Sequence, residues 1–242
     1  MSPVFRLACL FRKSETLMAI SPPPSILPAS ASPREIQRRS NGIASREQIL
    51  DATSQLAGEL GYDGTSISLV SERSGLPASS IYWHFKSKDL LIAAVIERSF
   101  VRFREKLLPL PNPTGNALND LQKAFHKITE AWSSDADFLR LGTMLVLDRR
   151  PEELTARTGY VAIRKHAQEI FGQLWKSVMP SLSPASVRKM ATLTMATCDG
   201  LFVAQEVEGG DLAKLMDTSL VGLVASAKAL QAGKDVPAKK KK

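Results

Sequence analysis

Four rings stand in a row at Tyr82, Trp83, His84 and Phe85, in a chain with only three Trp and three Tyr, and the cations Lys86 and Lys88 follow at once. Consecutive helical residues point in different directions, so these four rings cannot all face one core. Ile81 and Phe85 are four apart and share a face suited to inward packing, which turns Ser79, Tyr82 and Trp83 elsewhere. The hydroxyls of Ser79, Ser80 and Tyr82 can meet phosphates or base edges, and Trp83 and His84 lie on flanks where a helix meets a nucleic-acid backbone. Lys88 falls in the first turn of the next helix, where the macrodipole disfavours a cation by about 0.3–1 kcal/mol unless an anion is near. A phosphate is one such anion; a solvated surface loop explains Lys86 and Lys88 equally well.

The elements that must position these groups are short and well punctuated. Ser45 and Gln48 form a capping box for a first helix that ends at Gly61. A second helix follows Ser66, with Ile67 and Val70 on one face, and stops at Gly75. Pro77 opens a third, which runs to His84. Ser87 caps a fourth and longer helix with Leu90, Leu91, Val95 and Ile96 inward. The helix N-termini at Ser66 and Ser87 offer unpaired N–H groups to anions. Two short helices joined by a glycine-containing turn over residues 66–85 make a helix-turn-helix, whose second helix can enter a DNA major groove.

Three prolines in "LLPLPNPTG" mark a boundary near residue 108. Beyond it the periodicity predicts five helices, at about 114–134, 135–148, 151–179, 184–208 and 211–231, with Pro151 and Pro184 at first-turn positions and Gly209-Gly210 between the last two. No stretch alternates like a strand, so the expected fold class is all-α, with about nine helices. The expected organisation is a disordered Pro- and Ser-rich tail at 1–40, a helix-turn-helix domain at 41–90, a connecting helix at 91–108, a larger helical domain at 109–234, and a lysine-rich tail at 235–242.

Net charge is +8, but it is concentrated in the ends: residues 1–44 hold six basic and two acidic side chains, four lysines close the chain, and residues 45–235 carry 22 of each sign. Global basicity is therefore poor evidence for nucleic-acid binding, and any basic surface must come from local arrangement. The two cysteines, Cys9 and Cys198, do not suggest a disulfide framework. Arg6, Arg12 and Lys13 interrupt the only N-terminal apolar patch, and no run approaches the roughly 18–20 apolar residues that span a bilayer. A cytoplasmic protein with no membrane partner is expected.

The stretch "SREQILDATSQLAGELGYDGTSISLVSERSGLPASSIYWHFKSKDLL", residues 45–91, resembles the DNA-binding domain of the TetR family of transcriptional regulators. The resemblance rests on "ELGYDGTSI", "VSERSGL" and above all "IYWHFKSKDLL". It implies a double-stranded DNA operator, with Thr65 and Ser66 on phosphates, Ala78, Ser79, Ser80 and Tyr82 toward the major groove, and Trp83, His84, Lys86 and Lys88 bracing the backbone. Pro77 stands where the family often has a capping Ser, and Ala78 where many members place a polar side chain. Ala78 can therefore offer only apolar contact, such as to a thymine methyl.

The resemblance also implies a larger half that binds a small effector and forms a homodimer. The dimer reading falls on the last two helices: Val187, Met190, Ala191, Thr194, Met195, Cys198, Leu201 and Phe202 recur along the first of them, and "DLAKLMDTSLVGLVASAKAL" is rich in small residues that permit close approach. An intramolecular hairpin needs the same stripes. Polar or aromatic groups within apolar stretches, His126, Trp132, Arg140, Met144, Asp148, Tyr160, His166 and Trp175, are pocket candidates. The effector-binding set is His126, Met144, Tyr160, Trp175, Cys198 and Phe202, for an aromatic or amphipathic organic ligand. His126 and His166 lack an organised Cys or acidic partner, so neither a metal nor a cofactor is proposed. An all-α enzyme using Cys198 with a histidine base lacks any nucleophile motif around "TCDGLF", and a membrane-surface protein rests on the lysine tail alone, so the expectation is a regulator that is not an enzyme.

Overall fold

The computed structural model describes residues 33–107, 116–134, 136–148 and 154–233, and among them nine helices and no strand. They are α1 (Pro33–Gly64), α2 (Ile67–Ser74), α3 (Ala78–Phe85), α4 (Lys88–Leu107), α5 (Ala117–Ser134), α6 (Asp137–Leu147), α7 (Thr155–Val178), α8 (Pro184–Glu208) and α9 (Leu212–Gln231). The all-α expectation holds, and each expected helix is present. The first differs at its start. It begins at Pro33, so residues 33–40, expected as tail, are helical, and Ser45 is an interior residue whose hydroxyl donates to the Asn41 carbonyl at 2.8 Å. The physical reason is that nothing after Pro33 forbids helix before Gly61, where the backbone turns to φ 69°. Gln48 is not half of a capping box; its amide donates to the Ser74 carbonyl at 2.6 Å. Residues 1–32, Pro151 and the terminal lysines lie outside the described residues.

The described chain divides into two compact units, and the division does not follow chain order. One unit holds α1–α3, α4 as far as Arg104, α6, and α7 as far as Ile163. Its core is Ile49, Leu50, Leu56, Val70, Ile81, Leu91, Ile92 and Val95, none more than 2% exposed. Each such side chain contributes about 1.5–3 kcal/mol on burial. Residues 136–148 and 154–163, expected in the larger domain, pack in this unit for identifiable reasons. The Phe138 ring meets Phe100 and Phe103 at centroid distances of 5.5 and 5.1 Å. The Ser99 hydroxyl accepts the Phe138 N–H at 3.0 Å, and the Asp89 carboxylate accepts the N–H groups of Thr155 and Ala156 at 2.9 and 3.1 Å. Two helix N-termini thus donate hydrogen bonds to side chains of α4, which for α6 stand in for the side-chain cap that Ala136 cannot supply.

The other unit holds Glu105–Leu107, α5, α7 from Arg164, α8 and α9 among its described parts. Here Trp175 is fully buried and donates to the Thr194 hydroxyl at 2.8 Å, which satisfies the one polar atom of the indole. Arg164 and Asp199 form a two-pronged pair at 2.7 and 2.5 Å between α7 and α8. Ser183 caps α8, with Pro184 in its first turn, and Asp211 caps α9 after the positive-φ pair Gly209 and Gly210.

Candidate nucleic-acid interface

The turn of the helix-turn-helix is built by short-range chemistry. The Ser66 hydroxyl accepts the Leu69 N–H at 3.2 Å and starts α2; Gly75, at φ 68°, ends it. The Ser71 hydroxyl donates across the turn to the Leu76 carbonyl at 2.7 Å. The α3 helix then sorts its residues as the four-residue spacing demands. Ile81 and Phe85 are buried, whereas Tyr82 is 51% and Trp83 76% exposed. An indole three-quarters in water has no part in the fold's own core, and it forms with Ser79 and Tyr82 an outward surface of two aromatic rings and two hydroxyls.

His84 is half-buried at the edge of this surface, its ring edge-on to Trp83 at 4.6 Å. Burial, and then the charge of Arg46, hold its imidazolium below the usual histidine range. The helix ends at Lys86, whose φ of 59° and ψ of −34° make it the only non-glycine positive-φ residue among those described. Its backbone N–H donates to the Tyr82 carbonyl at 3.0 Å, and its side chain is exposed. A β-carbon in this region costs on the order of 1–2 kcal/mol, a strain of the kind found where function over-determines the backbone.

Two expected DNA contacts have other duties. Thr65 is fully buried, and its hydroxyl donates to the Gly61 carbonyl at 2.8 Å, so the side chain seals the break at the end of α1 and is withdrawn from any phosphate. Lys88 donates to the Tyr62 carbonyl at 3.1 Å and lies 4.3 Å from the centroid of the Tyr62 ring. The carbonyl and π-face supply the negative partner that its first-turn position requires, and no phosphate is needed. Tyr62 is a neighbour of this surface that residue spacing did not point to, as is Arg46, whose guanidinium sits 5.3 Å from the Phe85 centroid. Of the other expected contacts, Ser66 is committed to its cap, Ser79 is exposed, and Ala78 and Ser80 are half-buried.

The six effector candidates belong to different units. Met144 and Tyr160 belong to the unit of the helix-turn-helix, and His126, Trp175, Cys198 and Phe202 to the other. Met144 is 44% exposed, so it is a poor pocket liner in its own unit; Tyr160 is buried against Gly142 and shares a hydrogen bond with the Thr143 hydroxyl at 3.1 Å. His126 meets Asp217 at 2.8 Å, and Phe202 packs on Trp132 at 6.4 Å. Cys198 is 4% exposed, and burial with the charge of Asp199 pushes its thiol up to about 12, so it stays protonated and unreactive at neutral pH. Among the described residues no group of three His, Cys, Asp or Glu could hold a metal ion, and no helix is long and apolar enough to cross a membrane.

Comparison with known proteins agrees with the geometry over the same residues. Residues 49–95 match the bacterial regulatory proteins of the tetR family. A Mycobacterium tuberculosis HTH-type transcriptional repressor is 32% identical over 71 residues, 29% of this chain and 27% of that protein. The HTH-type transcriptional repressor KstR of Rhodococcus jostii is 34% identical over 91 residues, 37% of this chain and 42% of that protein. The alignments therefore span about a quarter to two-fifths of those relatives' length. A solved TetR-like transcriptional regulator from Rhodococcus sp. RHA1 shares the fold, with a TM-score of 0.58 and 19% identity over 78% of this chain and 97% of that one.

Proposed function

We propose that this chain, a member of the tetR family of bacterial regulatory proteins through residues 49–95, is a cytoplasmic, effector-responsive transcriptional repressor that grips duplex DNA with α3. The observation that carries the reading is the split of α3: Ile81 and Phe85 are spent on the core while Trp83 and Tyr82 are held in water beside Ser79 and the strained Lys86. A helix that needed only to pack would not keep 76% of an indole exposed. Repression rather than activation follows the names of the two curated relatives, both repressors.

A second copy of the chain is the proposed partner. On α8, Leu193, Val203 and Val207 are 42, 50 and 78% exposed, and on α9, Leu215 and Val221 are 41 and 66% exposed. Exposed apolar side chains on two adjacent helices, with Gly200 and Gly222 also at the surface, suit a four-helix contact between copies. Two heads then read half-sites about 34–36 Å apart, or a multiple of that, on a near-palindromic operator. The effector is proposed to be a small aromatic or amphipathic molecule that favours a different head spacing and so lowers operator affinity.

Selection of bound duplexes from a random pool by the purified protein tests this directly. Enrichment of an inverted repeat supports the reading, and recovery of unenriched sequence with no salt-dependent affinity refutes it. Val221→Glu should convert a light-scattering dimer into a monomer with weakened operator binding; a wild-type monomer that binds tightly would remove the second copy from the account.

A further inference from the structure

We infer that the N-terminal half of α1 is a second DNA-backbone contact, in which a phosphate strand lies across Arg39, Gly42 and Arg46; this rests on the proposed reading of α3 as the DNA-binding helix. Three observations meet on that stretch. Arg46 is placed at the edge of the α3 surface, with its guanidinium over the Phe85 ring and its charge acting on His84. Arg39 is seven residues earlier on the same continuous helix, hence on the same face about 10 Å away along the axis.

Between them stands Gly42. It lies in the interior of a helix, without a positive φ, and a β-carbon there would meet nothing within 4 Å. Glycine in a helix interior is unfavourable relative to alanine, and no packing among the described residues explains its presence. Its position is one turn from each arginine, so the stripe is two cations with bare backbone between them, shaped for close approach by something from outside.

Charge selects what approaches. Near Arg46 the carboxylate of Glu47 is within 4 Å of three guanidiniums, those of Arg46, Arg98 and Arg102, at 3.5, 3.0 and 3.7 Å, and Asp51 adds one carboxylate at 2.8 Å from Arg98. In these ion pairs three cations face two anions, and a polyanion that already sits on α3 is a complementary partner for them. The contact carries no sequence information, because phosphates are the same at every step.

The test uses the full-length protein and a mixed-sequence duplex of about three helical turns, with affinity measured against salt. Each lost phosphate contact lowers the slope of log affinity on log salt by about 0.9, so Arg39→Ala with Arg46→Ala should reduce it by about 1.8, and Arg46→Lys should leave it unchanged. Gly42→Ala should raise Tm by about 1–4 °C through helix propensity and yet weaken duplex binding several-fold, a combination that a purely structural role does not give. An unchanged slope in the double variant, or Gly42→Ala binding as well as the parent, overturns the inference. If the double variant loses helical circular dichroism, Arg39→Ala and Gly42→Ala decide alone. A parent protein with no affinity for any duplex would sink the reading of α3 itself, whereas normal binding by the parent with indifferent variants sinks only the α1 contact.

Discussion

The segment from Ala78 to Lys88 and the six effector candidates were read from the same kind of signal, an odd side chain in an apolar stretch, and the structure treats them in opposite ways. In the first, residue types at one-residue spacing sit on a short helix whose buried face is set by Ile81 and Phe85, so every outward residue follows from geometry. In the second, the candidates are spread over 77 positions from His126 to Phe202 and divide between two units, with Trp175 and Tyr160 fully buried and hydrogen-bonded within the protein. The difference is one of length scale. Local periodicity reports which way a side chain points from its own helix, but a pocket is a convergence of helices, and nothing in the spacing of one helix reports what the next brings to it.

The comparison can be broken most forcefully at Trp175. As a core residue with zero exposure, Trp175→Ala should cost about 3–5 kcal/mol of stability in denaturant unfolding. A variant of unchanged midpoint and slope with altered effector affinity would return the residue to the pocket. Asp89→Ala is the next largest change, about 1–2 kcal/mol, because one carboxylate caps the two first N–H groups of α7. Its loss should be visible as local hydrogen exchange at the start of α7, and exchange that is undisturbed there would mean that the cap does not hold the helix.

Lys86 and Lys88 sharpen the contrast within the segment proposed to face DNA. Lys86→Gly removes the β-carbon from a φ of 59° and should add about 1 kcal/mol of stability while reducing the salt slope of DNA binding by about 0.9. Lys88→Met should do the reverse: it loses the Tyr62 carbonyl and ring contacts, costs about 0.5–1.5 kcal/mol, and leaves the slope unchanged. Equal slopes for both variants and the parent would show that neither ammonium meets a phosphate; a lower slope for Lys88→Met would show that it leaves Tyr62 when DNA binds.

What was legible in the sequence follows the same division. Ser66, Gly75, Ser87, Pro184 and Gly209 punctuate helices by interactions within four residues, and all were readable from one end of the chain to the other. The start of α1 was misread because Ser45 and Gln48 have the residue types of a capping box, yet helix already in progress from Pro33 leaves Ser45 no free N–H to cap. Asp89 in "SKDLL" reads as an acid suited to the first turn of α4; that its oxygens reach residues 155 and 156 depends on a partner 66 positions away. Lys88 illustrates a related point: the macrodipole argument demands an electron-rich neighbour, and Tyr62, 26 positions away, supplies one in the free protein.

The smallest expected effect separates the two halves of the His84 side chain's environment. Burial and Arg46 depress the folded pKa of His84 below its ordinary value of about 6.5, so the unfolded chain binds the proton more readily. The neutral ring's contribution to stability is therefore complete above about pH 6.5 and is lost as pH falls through the lower, folded value. A phosphate beside the ring has the opposite preference, because it favours the imidazolium. Between pH 7.5 and 6 the free protein should lose a little stability while its affinity for duplex DNA rises, and His84→Gln should flatten both trends. If His84→Gln flattens the stability profile but not the affinity profile, the ring serves the fold alone, and the proposed DNA-facing surface narrows to Ser79, Tyr82 and Trp83 of α3 with Lys86 at its end.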